Sequence, residues 1–376
     1  MTIKSSIMHS FFLFFLILFA GNSCNTSSPT LKDSFKDQFY VGTALNQDQI
    51  DGLDPEALQL AGNQFNSITA ENCMKWGKIH PLPGVYKFEP ADSFVEYGEN
   101  NGMYIVGHCL VWHSQTPDWV FQDESGSLTV RDTLLQRMHD HILAVVGRYK
   151  GRVDCWDVVN EPIEDDGQIR KSMWSEIIGE DFIQKAFEYA READPEAVLI
   201  LNDYSLPNSS RREGMVRLIS DLQSEGVMVD GVGMQGHYQL DYPKMSDLEA
   251  SILAFSDLGV KVMITELDIN VLPRANYNTG ADLSNREEYL AKLNPYTEGL
   301  PDSVGLLLAG QYGDLFTLFV KHADKIDRVT LWGVHDGQSW KNNWPVRGRT
   351  NYPLLFDRNY QPKMAFESVI KTAGHK

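Results

Sequence analysis

Short runs of consecutive apolar residues alternate with stretches whose apolar positions recur every three or four residues, from Phe39 to the C-terminal region. The runs are FYVGTALN (39–46), FNSITAE (65–71), MYIVGHCLVW (103–112), RVDCWDVVNE (152–161), AVLILND (197–203), DGVGMQGH (230–237), KVMITELD (261–268) and RVTLWGV (328–334). Their length and their β-branched and aromatic content predict eight strands. Between them, TLLQRMHDHILAVVGRY (133–149), DFIQKAFEYAREA (181–193), SRREGMVRLISDLQSEG (210–226) and LEASILAFSDLG (248–259) have helical spacing. This alternation predicts an α/β fold, a (β/α)8 barrel in a single domain. A doubly wound open sheet is the structural rival, but no GxGxxG follows any strand.

In such a barrel the active site lies at the carboxyl ends of the strands, so the polar residues found there carry the chemistry. They are Glu71 and Asn72, His108 and Trp112, Asn160 and Glu161, Asn202 and Asp203, Gln235 and His237, Glu266 and Asp268, and Trp332. One polar strand end is accounted for as a helix cap. Seven of eight strands ending on groups that bind or move protons require convergence on one rim. Glu161, at the close of WDVVNEP, and Glu266, in ITELD, stand three strands apart in the ring and should face each other across the mouth.

Paired glutamates flanking a cleft suit glycosidic bond cleavage, one acid to protonate the leaving oxygen and one carboxylate on the far side of the anomeric carbon. A separation of about 5–5.5 Å gives a covalent intermediate and retention, whereas roughly 6.5–9.5 Å admits water and inverts. His237 donating to Glu266, and itself held by Asp268, would keep that carboxylate ionised as a nucleophile requires. Glu161 follows the apolar WDVV, and desolvation there is expected to raise its carboxyl and suit it to the acid role.

Charge narrows the partners. The 376 residues hold 51 acidic against 33 basic side chains, a formal net charge of -18. Polyphosphates would be repelled, so no nucleic-acid partner is expected, and a neutral small molecule or polymer fits better. No CxxC or HExxH occurs, and no metal or other cofactor is expected. Residues 1–24 have the form of an export signal: Lys4, the apolar run Phe11–Ala20, then small residues. Cys24, in GNSC, stands where a lipoprotein carries its lipid, although Gly21 replaces the usual lipobox leucine. Lipid tethering and plain secretion both stay open, so the protein is expected outside the cytoplasm: secreted, periplasmic or anchored at the outer cell surface. Residues 25–34 are expected to be a polar linker, and Cys73, Cys109 and Cys155 to be buried, unreactive thiols.

The motifs WDVVNEP, ITELD, ENCMKW (71–76), GHCLVWHSQTPDW (107–119) and WGVHDGQSW (332–340) resemble those of family 10 glycoside hydrolases, the endo-β-1,4-xylanase family. The resemblance runs from about Phe39 to Phe366, so residues 35–376 are read as one catalytic barrel. It implies a retaining enzyme that binds xylan and xylo-oligosaccharides, with Glu161 as acid/base and Glu266 as nucleophile; separately, a monomer is expected. It further implies that Asn160 meets the sugar 2-hydroxyl and that His237 orients the nucleophile. Glu71, Asn72, Lys75, His108, Trp112 and Gln235 are implied to hold sugars on the non-reducing side. Trp332 and Trp340 would form an aromatic wall, and Tyr204 would face the acid/base side. His113 and His335 receive no role. The long connection from Asn270 to Ser303 is expected to shape one bank of the cleft. Two rivals remain: a β-1,4-glucanase of the same chemistry, and a glycan-binding lipoprotein without catalysis.

Overall fold

A computed structural model of the chain describes residues 29–274 and 292–374. The strands are β1 (Tyr40–Leu45), β2 (Ser67–Ala70), β3 (Tyr104–Trp112), β4 (Cys155–Asn160), β5 (Val198–Asp203), β6 (Gly231–Met234), β7 (His237–Gln239), β8 (Lys261–Asn270) and β9 (Ile326–Leu331). Strands β1 to β6 pair in sequence order, β6 pairs with β8, β8 with β9, and β9 returns to β1, so eight parallel strands close the predicted (β/α)8 barrel. Each expected apolar run forms a strand within it.

The sixth run differs in one respect. Gly236 takes φ +85°, a left-handed conformation that breaks it in two, and a Cβ there would come within 3.1 Å of Ile264 Cγ2. The remainder, β7, pairs with the far end of β8, with His237 opposite Asp268. Gln235 thus lies in the break and His237 opens β7, and their side chains reach Glu161 and Glu266 respectively.

A small apolar cluster of Val106, Cys155, Ile200 and Met263 lies inside the barrel. A larger apolar layer lies between barrel and helices, and the predicted amphipathic segments supply it. The helix Arg131–Arg148 buries Leu134, Met138, Ile142 and Val145, and Phe182–Ala193 buries Ile183, Ala186, Phe187 and Ala190. The other two predicted segments fold as Ser209–Ser224 and Met245–Ser256. The helix Asp302–Lys321 is apolar enough to cross a membrane by composition, but it buries Leu308, Tyr312, Leu315, Phe316 and Phe319. Two motifs meet where Gly107 of β3 lies opposite Trp156 of β4. A Cβ on Gly107 would fall 2.2 Å from the Trp156 ring, so the indole occupies the space the glycine leaves.

The expected linker over residues 25–34 ends sooner than its polar composition suggested. Thr30 caps the turn Leu31–Ser34 by accepting from Asp33 N, and Leu31 and Phe35 are fully buried. Two apolar anchors thus bring the chain into the body from residue 30 onward. The expected signal and Cys24 lie outside the described residues. So does half of the 270–303 connection, residues 275–291, while Asn270, Pro273 and Arg274 of its described part line a hollow of about 250 Å³ with Trp340 and Trp344. The three thiols are buried and unpaired, and burial pushes Cys73 up to about 12 and Cys155 to about 11, consistent with unreactive side chains.

Candidate active site

Glu161 and Glu266 are carried into one network by three amides. Asn160 Oδ1 accepts from Gln235 Nε2 and from Asn202 Nδ2, each at 3.2 Å. The same two nitrogens continue to Glu161 Oε1 at 3.2 Å and Glu266 Oε1 at 2.8 Å. The glutamates at the ends of β4 and β8 thus share a mouth, as their strand positions predicted.

Glu161 has left-handed backbone, φ +59°, a conformation that a non-glycine residue adopts only when its surroundings hold it there. Its N–H donates to Asn202 O at 2.7 Å, and its carbonyl accepts from Arg170 Nε at 2.7 Å. The carboxylate also accepts from Trp112 Nε1 at 3.0 Å, and His113 Nε2 stands 3.7 Å away. With 15% of the side chain exposed, Glu161 is less enclosed than its apolar lead-in suggested, because the turn lifts it out of the barrel toward these donors.

Glu266 is more enclosed, with 6% of its side chain exposed. Its Oε2 lies 3.2 Å from His237 Nε2, and His237 Nδ1 lies 2.9 Å from Asp268 Oδ1. Asp268 in turn accepts from Trp340 Nε1 at 2.8 Å and pairs with Lys341 Nζ at 3.2 Å. Burial pushes the Glu266 carboxyl up, but the His237 hydrogen bond and the charges of His108, His237 and Lys75 outweigh it, so the group lies below the ordinary glutamate range. For His237, burial works against the charged form, yet Asp268 and Glu266 prevail and raise it to about 9.

The remaining predicted residues fall around this pair. Asn72 Nδ2 donates to Glu71 Oε1 and Lys75 Nζ to Asn72 Oδ1, both at 3.1 Å, and Lys75 Nζ stands 5.0 Å above the Trp112 ring. Burial raises the Glu71 carboxyl, with the Lys75 charge opposing it. His108 Nδ1 meets Asp157 Oδ2 at 2.7 Å. Trp332 is nearly buried and meets His108 edge-on at 5.4 Å, while Trp340 lies 4.9 Å from His237. Tyr204 OH accepts from Arg170 Nη2 at 2.9 Å, which ties it to the Glu161 carbonyl through one guanidinium. Gln235 and Trp112 direct polar atoms to Glu161, so both position a carboxyl group as well as bordering the opening. His335 turns away, to Asp54 at 3.0 Å and the Tyr360 ring.

Four contributors were not singled out by the sequence: Asn202, Asp157, Arg170 and Lys341. Asn202 stood in the roll of polar strand ends, and Asp157 lies inside WDVVNEP; Arg170 and Lys341 arrive from loops with no motif signal. His108, Asp157 and Glu266 have candidate ligand atoms within 4.8 Å of one another. Asn202 Nδ2 donates to both carboxylates, at 2.9 Å and 2.8 Å, and His108 meets Asp157, so hydrogen bonds link all three groups.

The family model for glycosyl hydrolase family 10 matches residues 30–372. The chain belongs to this family. Endo-1,4-β-xylanase A of Xylanibacter ruminicola is 47% identical over 345 residues, 92% of this chain and 94% of that protein. The Geobacillus stearothermophilus endo-1,4-β-xylanase is 41% identical over 349 residues, covering 92% and 99%. A family 10 endoxylanase structure from a sugarcane soil metagenome superimposes with TM-score 0.87 at 46% identity, covering 92% of this chain and 99% of that one. The chain is therefore a glycoside hydrolase, which fits two glutamates sharing one mouth.

Proposed function

We propose that the protein is an endo-1,4-β-xylanase that cleaves internal xylosidic bonds of xylan by double displacement. Supporting observations are the xylanase relatives and the unequal settings of the two glutamates. Glu266, kept ionised by His237 and aimed by Asn202, attacks the anomeric carbon while Glu161 passes its proton to the departing oxygen. The glycosyl–Glu266 ester then breaks as Glu161 takes a proton from water, whose oxygen bonds to the same carbon, and configuration is retained. Asn160 is suited to the sugar 2-hydroxyl, and the Glu71–Asn72–Lys75 chain to hydroxyls on the non-reducing side. Trp332 and Trp340 present apolar faces to the ring.

The observation that carries this reading is the His237–Glu266 contact at 3.2 Å, backed by Asp268. Replacing Glu266 by Ala is expected to lower kcat by about 10⁴-fold or more. Glu161→Ala should regain turnover with azide on aryl xylosides that have good leaving groups, giving a β-glycosyl azide. An α-configured first product by NMR would sink the nucleophile assignment. Faster hydrolysis of carboxymethylcellulose than of xylan would instead move the substrate to β-1,4-glucan. The N-terminal apolar segment supports export, and radiolabelled lipid on Cys24, lost in Cys24→Ser, would distinguish tethering from secretion.

A further inference from the structure

Inside the barrel, beneath the two glutamates, the side chain of Arg328 on β9 has no solvent exposure. Its Nε, Nη1 and Nη2 find no hydrogen-bond partner among the described residues, and neither do Asp157 Oδ1, Thr330 Oγ1 and Ser67 Oγ. Arg328 lies 5.5 Å from the Tyr104 ring and beside Cys155, but a buried guanidinium whose N–H groups are unbonded and a buried carboxylate oxygen without a donor are costly unless water reaches them. They line one cavity together with Thr69, His108, Asn202 and Glu266, and it offers about 10 Å³ to the centre of a water-sized sphere, roughly one molecule's worth. The two carboxylates facing the space disfavour an anion.

We propose that water in this cavity joins the Arg328 guanidinium to Asp157 Oδ1 and makes Arg328 a positioning residue for Glu266. Asp157 Oδ2 already meets His108 at 2.7 Å and accepts from Asn202 at 2.9 Å, and Asn202 donates onward to Glu266 at 2.8 Å. Burial raises the Asp157 carboxyl toward its protonated form, with His108 and Asn202 opposing it. Protonated, it would be a poorer acceptor for His108 and Asn202, and the amide that steers the nucleophile would lose its fixed orientation. The positive charge of Arg328, relayed by water, keeps Asp157 an acceptor.

The ionisable groups on this space are His108 from β3, Asp157 from β4, Glu266 from β8 and Arg328 from β9, with Cys155 of β4 beside Arg328. Asp154 and Tyr104 lie on the Arg328 side, while Glu71, Lys75 and His237 lie on the cleft side. Removing a cation from such a coupled set raises its proton affinity as a whole.

The inference rests on Glu266 being the nucleophile, and the test separates the two. In Arg328→Met the acid limb of kcat/KM on an aryl β-xylobioside should move to higher pH by about half a unit or more, and Arg328→Lys should bring it back most of the way. An unmoved limb in a folded Met variant, or equal shifts in the Lys and Met variants, overturns the proposal. If the Met variant does not fold, a high-resolution crystal structure of the unmodified protein decides. Ordered water within hydrogen-bond distance of both Arg328 and Asp157 Oδ1 supports the link, and a dry cavity refutes it. That measurement is made on resting protein, whereas residual turnover in Glu266→Ala would overturn the nucleophile and leave the water untouched.

Discussion

Glu266 is 5% exposed, a setting that by itself favours a neutral carboxyl. His237 reverses the balance, so its own charge becomes a condition of the site. At about 9 its folded value lies above the unfolded value of roughly 6.5. The sign follows: the stabilisation from charged His237 is complete below pH 6.5 and is lost as pH rises through 9. The urea midpoint of the wild type should therefore fall between pH 7 and 9.5, and that of His237→Asn should fall less. Equal slopes for the two proteins would show that His237 is not charged at neutral pH. The same region shows what residue types reveal in advance. Glu161, Glu266, His237 and Asp268 were legible because strand ends locate them and carboxylate chemistry explains them. Asn202 was legible only as a polar strand end, not in its role, which comes from reaching Asp157, Asn160 and Glu266 at once, a relation between three strands. Lys341 and Arg170 enter from irregular loops, where no period constrains the direction of a side chain.

At the scale of elements, the eight strands were readable because each buries both faces and so presents an unbroken apolar run. Their breaks were not: Gly236 divides the sixth run through a local backbone turn that hydrophobicity does not encode. The one-turn helix Leu31–Ser34 was likewise hidden in polar sequence, although its single buried leucine anchors the chain. Fit between strands also places the acid. Trp156 fills the space over Gly107, and Glu161 stands five residues along the same chain, after β4 ends at Asn160. Gly107→Ala would drive the indole off its site and should destabilise the protein by about 2–3 kcal/mol. Because the displaced strand carries Glu161, kcat should fall along with the melting temperature. A variant as stable and active as wild type would show that β3 and β4 adjust without moving the acid.

For the whole molecule the dominant property is its charge, formally -18 over the 376-residue chain. Within the cleft the signs are mixed: Lys75 and Lys341, with His237 charged, stand among Glu71, Glu161, Glu266 and Asp268. The surrounding excess of carboxylates gives a long-range field that a neutral xylan chain does not feel. A xylan bearing glucuronate branches does feel it, and approaches against repulsion until salt screens it. The Debye length falls from about 30 Å at 0.01 M to about 8 Å at 0.15 M salt, so surface charges beyond the cleft rim lose their influence over that range. Long-range fields act chiefly on association, which places the effect in KM and kcat/KM rather than in kcat. With glucuronoxylan, KM should therefore drop several-fold between those two salt concentrations, while KM for unbranched xylo-oligosaccharides stays constant. If both substrates respond alike, salt is acting on the protein itself. If neither responds, the local cations of the cleft govern encounter, and the molecule's net charge serves solubility rather than substrate choice.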